Sequence, residues 1–189
     1  MPATRIPQYS RNLIALHWLM LILIAIAYIT MEFRGLTARG SAERELMKTL
    51  HYWTGFAVLG LVWARIALRA LSPTPPITPA PSQLLHLAAW GAHLALYLFM
   101  IVMPVLGWVI LSAEGDPISF FGIPLFPIAS PSKELADYAE ELHETIGNVG
   151  YFLIGLHAVA ALYHHYWRRD DTLVRMAPFL GSLARPRRD

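Results

Sequence analysis

Apolar residues along this chain fall into four long blocks, covering residues 12–31, 49–71, 82–112 and 143–167. About 20 apolar residues, at 1.5 Å of rise each, cross the hydrocarbon of a bilayer, and every block meets that length. Polar or irregular stretches separate them. Glu32 to Lys48 is a polar connection. Pro73 to Pro81 (PTPPITPAP) cannot be helical and predicts a stiff extended linker. Ala113 to Ala129, rich in Gly, Pro and Phe, predicts an irregular interfacial loop. Ser82 is placed to cap the third helix, and Pro104 predicts a kink within it. Ser130-Pro131 predicts the start of an amphipathic helix that runs on into the fourth span and ends at Trp167. The first block follows Arg5 and Arg11 as a signal peptide would. It is longer than a signal h-region and lacks an A-x-A cleavage site, so it reads as a retained span. The expected fold class is all-α, an integral membrane four-helix bundle, with residues 1–189 forming one domain.

Composition agrees with that reading. The 189 residues are 56% hydrophobic and 15% charged, whereas soluble domains carry about 25% charged residues. Charge is sorted along the chain. The two tails and the Pro-rich connection hold ten basic residues (Arg5, Arg11, Arg65, Arg69, Arg168, Arg169, Arg175, Arg185, Arg187, Arg188) against three acidic ones. The other two connections hold five basic residues against ten acidic ones. Basic excess marks the cytoplasmic side, so both termini are expected there. Trp18, Trp53, Trp90, Trp108 and Trp167 sit near span ends, where an aromatic belt is the default reading. The chain has no cysteine, which excludes disulfides, iron–sulfur clusters and thioether-attached haem. Any metal or haem must then be held by His, Met or carboxylates, and eight histidines are present to do so.

Those histidines are patterned. His143, Gly150, His157 and His164 recur every seven residues, which places them on one stripe of a helix with a drift of about 20° per step. One histidine in an apolar helix is ordinarily a hydrogen-bonding packing residue. Three on a stripe, with others on neighbouring spans, point further. With the termini inside, His51 and His143 both open their helices at the outer face. His17 lies 15 residues before Glu32, about 22 Å deeper, and His157 lies 14 residues after His143, about 21 Å deeper. The expected pairs are thus His51 with His143 and His17 with His157. His93, 19 residues from Ser112, counts as deeper still at about 28 Å. Paired imidazoles on different helices suit b-type haem, held only by its axial ligands. Gly55 and Gly147, each four residues after an outer histidine, suit close approach of a flat macrocycle.

ALHWLM, MEFRG, PTPPI, the HET helix start, NVGYFLIGLHA and ALYHHYW, in this order, resemble the bacterial cytochrome b561 family and in particular its superoxide oxidase members. The resemblance covers essentially the whole chain. It implies a four-helix membrane cytochrome with two b haems, ligated at His17, His51, His143 and His157. It further implies ubiquinone as electron acceptor and superoxide as donor. Arg34, with Arg39 and Arg44 nearby, is the candidate for drawing the superoxide anion to an otherwise acidic outer face. His164, one heptad beyond His157, is the candidate hydrogen-bond or proton donor to a quinone. Neither nucleic acid nor an obligate protein partner is expected. Two other readings remain open on the residues alone: a cytochrome b subunit serving a partner dehydrogenase or hydrogenase, and a non-redox bundle whose histidines only pack.

Overall fold

A computed structural model describes residues 7–180. Arg5, Arg185, Arg187, Arg188 and Asp189, counted in the charge balance, lie outside the described residues. Four long helices form: α1 (Arg11–Arg34), α2 (Ala42–Leu71), α3 (Gln83–Glu114) and α4 (Lys133–Tyr163). All four are long and apolar enough to cross a membrane. Their apolar residues are largely uncovered by protein: Ile22 on α1, Trp63 on α2, Leu87 on α3 and Phe152 on α4 are all exposed. In water such surface would be costly. Against lipid tails it is the expected outer face of a bundle.

Each helix starts on a serine hydroxyl. Ser10, Ser41, Ser82 and Ser132 accept from the amides of Leu13, Arg44, Leu85 and Leu135. The cap of α4 is therefore Ser132 and not Ser130. The Ser132 amide donates to the Ala113 carbonyl at 2.9 Å, which holds that residue extended, and Pro131 lies just before the cap. Helix α2 begins at Ala42, so the polar segment before Thr49 adds about two turns to the apolar span. Part of the connection after α3 is ordered as a small hairpin, β1 (Ser119–Phe120) against β2 (Ile123–Pro124), where an irregular loop was expected. Phe121 at φ 49° and Gly122 at φ 81° are the two left-handed residues of its turn. Indole N–H groups pin the connections: Trp53 donates to the Ser119 carbonyl and Trp108 to that of Phe126. Residues 73–82 are non-helical, as the prolines require.

Helices pack in chain order, α1 on α2, α2 on α3 and α3 on α4, while α1 and α4 approach each other less closely. Side chains bridge that wider gap. The Tyr28 hydroxyl donates to the Gly147 carbonyl at 2.7 Å, and the Tyr151 hydroxyl donates to Glu32 at 2.5 Å. A packed layer of Met20, Val58 and Val62 fills the middle of the bundle.

Beyond Tyr163, α4 loosens into a π-helical turn, His164–Arg168, followed by α5 (Thr172–Met176) and a 3₁₀ turn, Pro178–Leu180. The tail folds back against the N-terminal end of α1. Trp18 donates its indole N–H to the Met176 carbonyl, and the Tyr9 amide donates to that of Arg175. Asp171 accepts from the Thr78 amide at 3.0 Å, tying the Pro-rich linker to the same corner.

Candidate functional site

Two histidine pairs stand at two levels of the bundle, named outer, towards the α1–α2 and α3–α4 connections, and inner, towards the α2–α3 connection, after the orientation expected from the charges. At the outer level the rings of His51 (α2) and His143 (α4) have centroids 6.1 Å apart. At the inner level those of His17 (α1) and His157 (α4) are 6.2 Å apart. Two imidazoles bound through one nitrogen each to opposite sides of a metal ion have centroids about 6 Å apart, given metal–nitrogen bonds near 2 Å. Both separations are close to that spacing, so each pair would fit an iron held between its two rings. His51 also donates Nδ1–H to the Ala27 carbonyl at 2.9 Å, which leaves its other nitrogen free for a metal. His143 Nδ1 is buried and makes no hydrogen bond among the described residues.

The outer pair opens on a cavity of about 340 Å³. Its wall includes Gly55, Gly107 and Gly147. A Cβ at Gly55 would meet nothing within 4 Å, and one at Gly107 would stand 3.6 Å from the His143 ring. Space beside these glycines is what a macrocycle edge needs. Glu32 and Arg34 line the same cavity. Glu32 is engaged by Tyr151, and Arg34 forms no ion pair among the described residues. Arg44, considered beside it, is instead a brace: its guanidinium donates to the carbonyls of Arg34 and Thr37 and fixes the turn after α1.

Gly150 lies on α4 between the two levels. It is buried, and a Cβ there would fall 2.5 Å from the Phe99 ring and clash with the Tyr28 hydroxyl. Phe99 and Tyr28 therefore occupy the space against the helix between the levels.

The inner level holds more than the predicted pair. His93, from α3, brings its ring to 5.5 Å from His157, although counting residues along the helix placed it deeper. Helix tilt compresses depth, so rise alone overstates it. His93 donates Nδ1–H to the Ala89 carbonyl at 2.7 Å. Arg65, read from sequence only as a topology charge, donates to the Leu13 carbonyl at 3.1 Å and comes within 3.4 Å of His17 Nδ1. Among the described residues no three His, Asp or Glu side chains converge as a single metal ion would require.

His164 sits two turns beyond His157 in the π segment, but it is not left without a partner. Its Nδ1 lies 2.5 Å from Asp170 Oδ2, and the carboxylate is almost completely buried. Sequence reading missed Asp170; the only trace was an acid six residues after the histidine, a spacing that a regular helix would not bring back to the same face.

The family model for prokaryotic cytochrome b561 matches residues 8–179. Cytochrome b561 homolog 1 of Escherichia coli (strain K12) is 38% identical over 171 residues, covering 90% of this chain and 97% of that protein. The probable superoxide oxidase CybB of Yersinia pestis is 39% identical over 171 residues, covering 90% of this chain and 96% of its own. Cytochrome b562 of Cereibacter sphaeroides is more distant, at 30% over 177 residues. With four membrane-capable helices and facing histidines, the chain belongs to the prokaryotic cytochrome b561 family, redox proteins of the bacterial inner membrane that bind haem b.

Proposed function

We propose that this protein is a single-domain, di-haem superoxide:ubiquinone oxidoreductase with both termini in the cytoplasm. Two b haems, held by His51 with His143 and by His17 with His157, supply one-electron redox chemistry at two depths. The observation that carries this reading is the pairing itself: two inter-helix imidazole pairs at metal-bridging separation, 14 residues apart on α4. The name of the Yersinia pestis relative supports the substrate.

In the proposed reaction two superoxide anions each give up one electron and leave as O₂. One ubiquinone takes two electrons and two protons and leaves as ubiquinol. The chain must attract an anion to an acidic face, because its outer connections hold ten acidic residues against five basic. Arg34, at the cavity wall and without an ion pair among the described residues, provides the local positive potential, while Tyr151 shields Glu32 by donating a hydrogen bond to it. Screening at physiological salt limits competing fields to about 8 Å, so a nearby cation outweighs more distant acids. Phe99 and Tyr28, packed at Gly150, keep the middle of the bundle closed to water. At the inner face His164 donates a hydrogen bond or proton to a quinone oxygen.

Stopped-flow mixing of the oxidised, haem-loaded protein with superoxide, with and without ubiquinone, tests this reading. Haem reduction without quinone, and reoxidation with quinol formation when it is present, are the expected results. A protein that superoxide does not reduce would instead fit a subunit dependent on a partner dehydrogenase. His51→Ala and His157→Ala are each expected to lose one of two haems per chain by pyridine haemochrome assay.

A further inference from the structure

The C-terminal end of α4 departs from α-helical geometry. Residues 164–168 form a π-helical turn, and Arg169 closes it with a left-handed backbone at φ 55°. The amides of Arg169 and Asp170 both point back to the His164 carbonyl. The chain thus reverses within six residues and brings the Asp170 side chain beneath the His164 ring. Oδ2 takes the His164 Nδ1–H at 2.5 Å, while Oδ1 accepts from the Thr172 amide at 3.0 Å. The Arg168 guanidinium stands 3.9 Å from Oδ2, beyond hydrogen-bond length. A carboxylate fixed at both oxygens, with 1% of its side chain exposed, holds one nitrogen of a histidine that keeps 16% of its surface accessible. Local π-turns are frequently found at functional sites.

We propose that Asp170 is the positioning residue for proton transfer by His164. The proposal rests on the quinone role given to His164 above. Asp170 confines the ring to the form protonated at Nδ1 and directs Nε2 outward. In the transfer, the Nε2–H bond of the imidazolium breaks and its electron pair stays on nitrogen. An O–H bond forms on the quinone oxygen that is accepting electrons derived from superoxide. The ring returns to its neutral, Asp170-held form and takes its next proton from water on the inner side. Because Nδ1–H never leaves the carboxylate, the imidazole keeps its orientation through the cycle.

The experiment uses the haem-loaded protein in detergent with a one-isoprene ubiquinone and Asp170→Asn, Asp170→Ala and Asp170→Glu variants. Loss of the carboxylate in Asp170→Ala is expected to lower kcat for quinol formation by at least about tenfold, with KM for quinone little changed. Asp170→Asn keeps an acceptor oxygen without the charge and should fall between, and Asp170→Glu should recover part of the rate. In ¹⁵N-histidine NMR, the Nδ1–H signal that disappears in His164→Gln should also lose its single protonated form in Asp170→Ala. An unchanged kcat per haem in Asp170→Ala would overturn the proposal. So would a fall in kcat matched by equal loss of haem, which marks a merely structural residue. If the unaltered protein forms no quinol, the quinone reading fails and this one with it; quinol formation that Asp170→Ala leaves intact sinks only this one.

Discussion

Gly150→Ala is the sharpest probe of how the two levels are kept apart. A methyl group built on Gly150 lies 2.5 Å from one Phe99 ring carbon and 2.6 Å from the next, with the Tyr28 hydroxyl closer still. Carbon atoms pack at about 3.5–4.0 Å, so the ring must retreat by about 1 Å or α4 must move away from α1 and α3. Neither is easy. Phe99 is only 9% exposed, and Tyr28 is tied to the Gly147 carbonyl one turn away on the same helix. Overpacking of this kind costs about 1–3 kcal/mol. The assay is the thermal midpoint of Soret absorbance loss in one detergent, comparing Gly150→Ala with Gly55→Ala. The Gly55 methyl meets nothing within 4 Å of the protein, so its midpoint tests haem approach while that of Gly150→Ala tests helix packing. A second substitution, Phe99→Leu, removes the obstructing ring and should recover stability in the double variant, with a coupling of about 0.5–3 kcal/mol. An unchanged midpoint in Gly150→Ala, or a double variant no better than the sum of its parts, refutes the close-packing argument.

Four shorter predictions follow from the same geometry. Ser132→Ala should destabilise the start of α4 by about 1 kcal/mol, while Ser130→Ala is silent, as read by hydrogen exchange over residues 133–140. Arg169→Gly relieves a left-handed backbone and should leave the tail as stable or more so, whereas Arg169→Val should increase proteolytic nicking after Trp167. Glu32→Gln removes a negative charge from the cavity wall and should raise the second-order rate of superoxide-driven haem reduction, most at low salt; Arg34→Ala should lower it. The Asp170 carboxyl is held below its ordinary value of 3.8: burial alone would raise it, but hydrogen bonds from His164 and Thr172 outweigh burial. A lowered native value adds stability above the ordinary carboxylate range that is lost as pH falls through the native value. Tail docking, followed by limited proteolysis, should therefore be constant near neutrality and weaken only in strong acid, and Asp170→Asn should remove that acid dependence.

The parts of this architecture that depend on spacing along one helix were legible in the residues. Four apolar blocks of membrane length fix four helices, because a backbone in lipid must satisfy its own hydrogen bonds. The heptad on α4 fixes which residues share its inward stripe. A constant rise, together with near-parallel packing imposed by the bilayer, matches His51 to His143 and His17 to His157 before any tertiary contact is known. What depends on rotation about a helix axis, on tilt, or on where a turn sends the chain has no such ruler. His93 stands beside His157, at a level that counting rise along α3 did not give. Side-chain reach between α2 and α1 decided that Arg65 meets His17 rather than only marking topology. A change from α to π geometry, closed by a left-handed Arg169, placed Asp170 under His164, a contact that α-helical periodicity forbids. The sequence by itself determined the spans, the stripe and the two levels, because helix rise and bilayer thickness are fixed lengths. Only the tertiary structure decided which polar groups meet at each level, because those meetings hang on packing angles and turns that no periodicity encodes.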